Sequence, residues 1–208
     1  MTRRLSDRKI VVATHNEGKV EEIRALLAPW GIETVSAGEL GLPVPEETET
    51  TFEGNSALKA RAACEASGLP ALADDSGIEV DALGGAPGVH TADWAETPQG
   101  RDFARAMSRT HAAVLEAGAS PPWTARFVCV LSVVWPDGEV ATVRGTAEGQ
   151  VIWPPRGEAG HGYDPCFQPD DGDGRTFAEM SGAEKNGLSH RADAFAKLAS
   201  QVLGPRPA

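Results

Sequence analysis

The chain has 208 residues, of which 41% are hydrophobic and 24% charged, and its formal net charge is −11. These proportions are typical of a globular protein with one large domain or two fused lobes. The acidic balance argues against a protein that coats DNA or RNA, because phosphate contacts need a basic surface. No apolar run approaches the ~20 residues of a membrane helix, and the N-terminal residues lack the apolar segment of a signal peptide. We therefore expect a cytoplasmic protein that binds neither nucleic acid nor membrane.

The cysteines point to the same compartment. Cys64, Cys129 and Cys166 are far apart in the sequence, and their odd number excludes complete internal pairing. We expect them to be buried thiols in a reducing environment.

The first third of the chain predicts a strand–turn–helix unit followed by a loop and a second helix. Short apolar runs indicate strands, and apolar residues at helical spacing indicate helices. The predicted strands are Lys9–Ala13 and Glu33–Ser36, the helices are Glu17–Ala28 and Asn55–Ser67, and residues 41–51 form an acidic, proline-rich loop.

The remaining sequence predicts a hairpin and two further helices. Pro70–Asp74 and Ile78–Leu83 are read as two short strands around an Asp-Asp-Ser-Gly turn, Arg101–Glu116 as a helix, Thr124–Trp135 and Glu139–Ile152 as a β-hairpin, and Ser189 as the N-cap of a helix that runs to about Leu203. This succession of strands and helices predicts an α/β protein with a mixed sheet.

The segment Thr14–Lys19 joins the first strand to the first helix and ends in a lysine. A helix start of this kind can present backbone N–H groups and a cation to a phosphate. It is not a P-loop, since Val20 follows Lys19 where that motif needs serine or threonine. An ordinary strand–helix connection is the alternative interpretation.

Two groups of carboxylates suggest a cation. The adjacent Asp74 and Asp75 repel each other unless a cation or hydrogen bonds compensate, although Asp, Ser and Gly also favour simple turns. Glu47 belongs to an acidic loop that is equally typical of a solvated segment. Asn55 and Lys59 share one helical face and could approach a phosphate together, or form a surface pair.

Two C-terminal segments suit a planar ligand. Gly162–Pro165 resembles a rigid loop that could stack a ring on such a ligand, and a structural turn explains it equally well. His190 and Arg191 follow Ser189 at a helix start, where their donors could bind a carbonyl or phosphate oxygen. An exposed helix start is the alternative.

Six segments taken in order resemble the successive motifs of the inosine triphosphate pyrophosphatase family, from Ile10 to about Leu198. They are ATHNEGK, EETETTFEGNSALKA, ADDSGIEVDALGGAPG, RFVCVL, GHGYDP and TFAEMSGAEKNGLSHR. The resemblance implies a single domain over residues 1–208, with an elongated mixed β-sheet flanked by helices and two lobes with a central cleft. It also implies a homodimer that uses Mg²⁺ to hydrolyse ITP, dITP and XTP to monophosphate and pyrophosphate, which cleanses the nucleotide pool.

Matched by position, the resemblance implies roles for individual residues. Asp75 is expected to be the catalytic proton acceptor, and Glu47 and Asp75 are expected to bind the metal, with Asp74 as a further candidate. The expected substrate-binding residues are Thr14, His15, Asn16, Glu17, Gly18, Lys19, Lys59, Ser76, His161, Gly162, Tyr163, Asp164, Lys185, His190 and Arg191.

Three positions depart from the family pattern. His161 stands where a phenylalanine usually stacks on the base, a role that imidazole can also perform. His15 replaces a common glycine, and Asp93 stands where an arginine is frequent.

Two other functions remain open. One is a related house-cleaning pyrophosphatase of the Maf type, which acts on pyrimidine or modified nucleotides. The other is a nucleotide-binding regulator that has lost turnover.

Overall fold

The computed structural model describes residues 3–206. Its strands are β1 Lys9–Val12, β2 Glu33–Ser36, β3 Ala71–Val80, β4 Glu96–Thr97, β5 Gly100–Arg101, β6 Trp123–Val134, β7 Val140–Val151 and β8 Phe167–Pro169. Its α-helices are α1 Glu17–Leu27, α2 Phe52–Ser67, α3 Phe103–Glu116, α4 Gly182–Leu188 and α5 His190–Leu198. Short 3₁₀ segments are Ala28–Trp30, Asp81–Leu83, Gly88–His90, Asp93–Ala95, Asp164–Cys166 and Phe177–Glu179, and a π-helical segment is Ala199–Leu203.

The chain is divided into two compact units. Unit 1 contains the residues up to Asp75, Val130–Arg144 and the residues from Ala194 onward, and unit 2 contains Ser76–Cys129 and Gly145–Asp193. Strands β3, β6 and β7 contribute residues to both units.

The main sheet has six strands in the order β2-β1-β3-β6-β7-β8. β1 runs parallel to β2 and β3, with Val11 opposite Val35 and Ala71. β7 runs antiparallel to β8, and β4 pairs with β5 in a separate antiparallel hairpin. The predicted α/β class with a mixed sheet is therefore confirmed.

In unit 1, helix α2 packs on the sheet through small side chains. Ala60, Ala63 and Cys64 of α2 contact a cluster that includes Val11 and Ala71. Small residues on both sides let a helix approach a sheet closely. The helix begins at Phe52 because Thr51 caps it by accepting a hydrogen bond from the Gly54 amide, and it ends at Gly68 in the left-handed conformation. The predicted start at Asn55 is therefore three residues late.

Unit 2 has an aromatic core. Phe127, Phe167 and Phe177 pack with ring centroids 4.5 to 5.9 Å apart, and the fully buried Tyr163 belongs to the same cluster. Three stacked or tilted rings bury a large apolar area in one place. This core supports the loop before β8, which carries several of the predicted site residues.

The structure differs from the sequence prediction most clearly at Asp74–Gly77. The two strands and turn predicted there form one strand, β3, of ten residues, so the turn prediction is wrong. The hairpin prediction is correct, because β6 and β7 are neighbours joined by a turn in which Gly138 donates to the Trp135 carbonyl. All three cysteines are buried free thiols, as predicted. No helix within residues 3–206 is both long and apolar enough to cross a membrane.

Candidate active site

The segment Thr14–Lys19 forms a tightly bonded turn between β1 and α1. The Ala13 amide donates to the Leu72 carbonyl across the sheet at 2.8 Å, and the Asn16 amide donates to Thr14 Oγ1 at 3.2 Å. The Asn16 side chain caps α1 by accepting a hydrogen bond from the Lys19 amide at 3.1 Å. The start of α1 is thereby fixed, and a helix start attracts anions through its unpaired N–H groups and dipole.

Two lysines meet the two aspartates of β3 within unit 1. Lys19 Nζ lies 2.7 Å from Asp74 Oδ2, and Lys59 Nζ lies 3.1 Å from Asp75 Oδ1. Asp74 also lies near enough to Lys59 to raise the pKa of that ammonium group. Glu47 Oε1 lies 2.7 Å from the same Lys59 Nζ. The predicted phosphate ligands and metal ligands of unit 1 therefore lie together.

Asp75 has an unusual electrostatic environment. Burial raises its pKa to about 6 despite the opposing attraction of Lys59, and repulsion by Glu47 adds to the increase. Its Oδ2 atom is buried and has no hydrogen-bond partner among residues 3–206. Burial opposes the charged form of Lys59, but attraction to Asp75, Glu47 and Asp74 raises its pKa overall. A buried carboxylate oxygen without a partner is costly, which favours an additional cation beside it.

The donor atoms at this position fit Mg²⁺. Mg²⁺ prefers oxygen ligands and is usually held by one or two carboxylates, with waters and substrate phosphates completing the shell. Glu47 and Asp75 supply two carboxylates on one ammonium group. Across residues 3–206, no three His, Cys, Asp or Glu side chains converge to hold a metal by themselves. The arrangement therefore suits a metal that substrate phosphates help to bind.

Two buried residues of α2, Asn55 and Ser56, hold this part of the structure in place. Asn55 Oδ1 accepts a hydrogen bond from the Glu49 amide at 3.0 Å, so Asn55 fixes the end of the acidic loop. Its side chain is buried, which excludes the surface-pair interpretation. Ser56 Oγ donates to the Ala73 carbonyl at 3.0 Å and so joins α2 to β3 directly before the aspartates.

A second group of predicted residues lies in unit 2 around Asp164. Lys185 Nζ lies 2.5 Å from Asp164 Oδ2, and the His161 amide donates to the same oxygen at 2.8 Å. Asp164 is 2% exposed. Gly160 has φ +75°, and a Cβ atom at that position would lie 2.1 Å from Asp164 Oδ2, so only glycine lets the loop fold over this carboxylate.

The side chain of Tyr163 is part of the unit 2 core. It is 1% exposed, and burial raises its pKa to about 12. Thr110 Oγ1 donates to its hydroxyl at 3.3 Å. Its ring therefore cannot stack on a ligand in this conformation, and the structural turn is the correct interpretation of Gly162–Pro165. A contact of Tyr163 with substrate stays a prediction for its backbone.

The other predicted residues of unit 2 occupy three places. Ser76 follows Asp75 in β3 and is half-buried, whereas the His161 side chain is exposed.

His190 is buried, and its ring stacks on Phe127 with centroids 4.9 Å apart, so the expectation of an exposed helix start does not apply to His190. Ser189 Oγ caps this helix by accepting a hydrogen bond from the Ala192 amide at 3.2 Å. Arg191 lies in the first turn and is half-buried.

Asp93, one of the three departures, is an exposed residue of the 3₁₀ segment Asp93–Ala95. His90 Nδ1 is 2.8 Å from Asp93 Oδ2, and both side chains are about two-thirds exposed. The carboxylate therefore has a local partner within unit 2.

Comparisons with known proteins find similar sequences and structures. Residues 10–201 match the model of the Ham1 family. The dITP/XTP pyrophosphatase of Agrobacterium fabrum is 56% identical over 212 residues, which cover 97% of this chain and 99% of the relative. The dITP/XTP pyrophosphatase of Rhizobium meliloti is 55% identical over 213 residues, which cover 97% of this chain and 99% of the relative. A HAM1 protein structure from Coxiella burnetii has a TM-score of 0.87 and 36% identity over 93% of this chain and 98% of the other.

Proposed function

The chain belongs to the Ham1 family, and on this premise we propose that it hydrolyses ITP, dITP and XTP to the nucleoside monophosphate and pyrophosphate. The observation that carries the proposal is the cluster of Lys19, Lys59, Glu47 and two strand aspartates beside the N-terminus of α1. Relatives named dITP/XTP pyrophosphatase, similar over nearly the whole chain, support the choice of substrates.

The triphosphate is bound by lysines and backbone amides of unit 1. Lys19 and Lys59 supply two positive charges, and the turn Thr14–Lys19 supplies the helix start. Both ammonium groups contact carboxylates, which hold them in position without substrate. Preformed charges of this kind need little reorganisation when a polyanion binds.

Glu47 and Asp75 would hold the Mg²⁺ ion. When bound, this ion would neutralise charge on the phosphate oxygens and so ease attack by a nucleophile. The unpaired, buried Oδ2 of Asp75 supports its place in the ligand set.

Asp75 is also the group that we propose accepts a proton. A water oxygen forms a bond to the α-phosphorus, the bond from that phosphorus to the bridging oxygen of the β-phosphate breaks, and pyrophosphate leaves. The water proton passes to the Asp75 carboxylate. Lys19 and Lys59 hold the leaving phosphates in line for the attack.

The base is recognised by donors of unit 2. Lys185, His190 and Arg191 supply N–H groups for the 6-oxo oxygen of hypoxanthine or xanthine. Adenine has an amino group at this position, and a buried donor that faces another donor stays unpaired. A site of this type can discriminate by ~10⁴ or more. The exposed His161 ring provides a surface on which the purine stacks.

A product-resolved assay tests the function. The protein is incubated with ITP, XTP, ATP, GTP and dUTP in Mg²⁺ and again in excess EDTA. We expect monophosphate and pyrophosphate from ITP and XTP in Mg²⁺, and no turnover in EDTA. Release of orthophosphate would place the cut at another bond, and a preference for dUTP would favour a Maf-type enzyme. Tight ITP binding without pyrophosphate release would indicate a regulator.

Replacing Arg191 by alanine tests base recognition. We expect the ratio of kcat/KM for ITP to that for ATP to fall about tenfold, because one hydrogen bond to the 6-oxo group is lost. Arg101→Ala is the matched control, since Arg101 is an exposed arginine of unit 2 paired with Glu96. An unchanged ratio in Arg191→Ala would remove this residue from base recognition.

We also propose that the enzyme is a cytoplasmic homodimer. The three buried free thiols support a reducing compartment, and the dimer follows from the family resemblance. Light scattering coupled to gel filtration measures the mass directly, and a mass close to the 21.8 kDa of one chain would contradict the dimer.

A further inference from the structure

The side chain of His15 links the phosphate-binding turn, Thr14–Lys19, to the acidic loop. The acidic loop was predicted over residues 41–51, and the name is used below for residues 42–49, which form no helix or strand in the structure. His15 Nε2 lies 2.7 Å from the carbonyl oxygen of Leu42, 27 positions away in the chain. A carbonyl can only accept a hydrogen bond, so Nε2 is the donor. His15 is exposed to solvent, and this hydrogen bond orients its imidazole.

The acidic loop has no helix or strand of its own and is held at both ends. At its first residue the Leu42 amide also donates to the Ala37 carbonyl at 2.9 Å, and Leu42 packs against the core of unit 1. His15 binds its first residue, and the buried Asn55 binds the amide of its last residue, Glu49. Glu47 lies between the two attachments and reaches Lys59 Nζ at 2.7 Å. Ordering an irregular loop costs conformational entropy, so a bond at each end makes the observed position of Glu47 more favourable.

The same attachment borders a cavity of unit 1. The cavity has a volume of about 320 Å³ and lies between the phosphate-binding turn and the acidic loop. Lys19, Lys59, Glu47 and Asp74 contribute its charged lining, Leu42–Pro45 contribute apolar lining, and His15 itself borders the cavity. The hydrogen bond from His15 therefore acts on a segment that faces the lysines.

We propose that His15 is a positioning residue for metal binding, in that its hydrogen bond to Leu42 holds the acidic loop so that Glu47 stays at the metal-binding position. The inference rests on the proposed function and deepens it. The effect of His15 on the metal is exerted through Glu47.

The first test uses the metal-free protein and needs no activity. Amide hydrogen exchange is measured by mass spectrometry in peptides covering residues 42–49 of wild type, His15→Ala, His15→Gln and His90→Ala. We expect about fivefold faster exchange in His15→Ala, near-wild-type exchange in His15→Gln, whose amide can donate to the same carbonyl, and no change in His90→Ala. His90 is a suitable control because it is an exposed histidine of unit 2. Wild-type exchange in His15→Ala would overturn the proposal.

The second test measures the metal. Mg²⁺ is titrated calorimetrically into each variant saturated with α,β-imido inosine triphosphate, and separately in a kinetic assay with ITP. We expect the Mg²⁺ half-saturation concentration to rise about fivefold in His15→Ala, the effect of about one hydrogen bond. An unchanged Mg²⁺ dependence, or a loss confined to kcat, would contradict a positioning role.

A double-variant cycle separates this role from direct substrate contact. In the Glu47→Gln background, adding His15→Ala should weaken calorimetric Mg²⁺ binding no further, because the two residues act in series. A full additional fivefold loss would show that His15 acts independently of Glu47 and would overturn the proposal. If the wild type hydrolyses no nucleotide, the proposed function fails, whereas the exchange experiment still decides whether His15 holds the loop.

Discussion

Replacing Asp75 by asparagine should lower kcat/KM for ITP by at least about a thousandfold while the protein stays folded. The substitution keeps the size of the side chain but removes both the proposed proton acceptor and one carboxylate of the metal site. The folded state should tolerate it, because a neutral amide is less costly to bury than a carboxylate whose Oδ2 lacks a partner among the described residues, and because Lys59 keeps Glu47 as its partner. Pyrophosphate release and the thermal unfolding midpoint measure the two effects.

Asp171→Asn is the matched control for this experiment. Asp171 is an exposed aspartate of unit 2 that no step of the mechanism uses, so its activity and unfolding midpoint should equal those of wild type. Near-normal turnover by Asp75→Asn would exclude Asp75 from the mechanism. If Asp75→Asn loses both activity and the folded state, Asp75→Glu decides the catalytic role. This variant keeps the carboxylate charge, so its turnover should fall only because the carboxylate is displaced.

Replacing Asp164 by alanine should lower the free energy of unfolding by about 2–3 kcal/mol. The buried carboxylate of Asp164 pairs with Lys185 and also accepts the His161 amide hydrogen bond. Its removal leaves a largely buried ammonium group and a backbone N–H without their partner, and both are costly. The expected loss of unfolding free energy is smaller than the ~3–5 kcal/mol typical of a fully buried ion pair that loses one partner, because the Lys185 side chain is 16% exposed. Urea unfolding measures the change.

Asp173→Ala provides the comparison for this prediction. Asp173 pairs with Arg175 at 2.8 Å, but both side chains are well exposed, 62% and 39%, so its loss should change the unfolding free energy by less than about 0.5 kcal/mol. Equal effects of the two substitutions would show that the Asp164–Lys185 pair does not hold the loop. Because His161 belongs to this loop, Asp164→Ala should also raise KM for ITP.

The fold class and the unit 1 cluster could be predicted because local signals agree with tertiary structure there. The strand, the turn ending in Lys19 and the helix after it are encoded in adjacent residues, and Asn16 is a favoured N-cap. The prediction failed at Asp74–Gly77, where residues that favour turns form the middle of β3. Pairing of this strand with β1 and β6 and the contacts of the aspartates with Lys19 and Lys59 outweigh local turn propensity.

Contacts between distant parts of the chain account for the other differences. No pattern relates His15 to the Leu42 carbonyl, because the acceptor is a backbone atom that any residue would supply. The burial of Tyr163 depends on the aromatic core around it and on Thr110, 53 positions earlier in the chain. The family resemblance indicated which residues belong to the site, but it could not show which side chains face a ligand and which support the loop.

A crystal structure of the wild-type protein with α,β-imido inosine triphosphate and Mg²⁺ tests the central claim most directly. We expect the triphosphate to contact Lys19 and Lys59, and the metal to be bound by Glu47, Asp75 and phosphate oxygens. A triphosphate bound away from both lysines, or a metal held without either carboxylate, would contradict it.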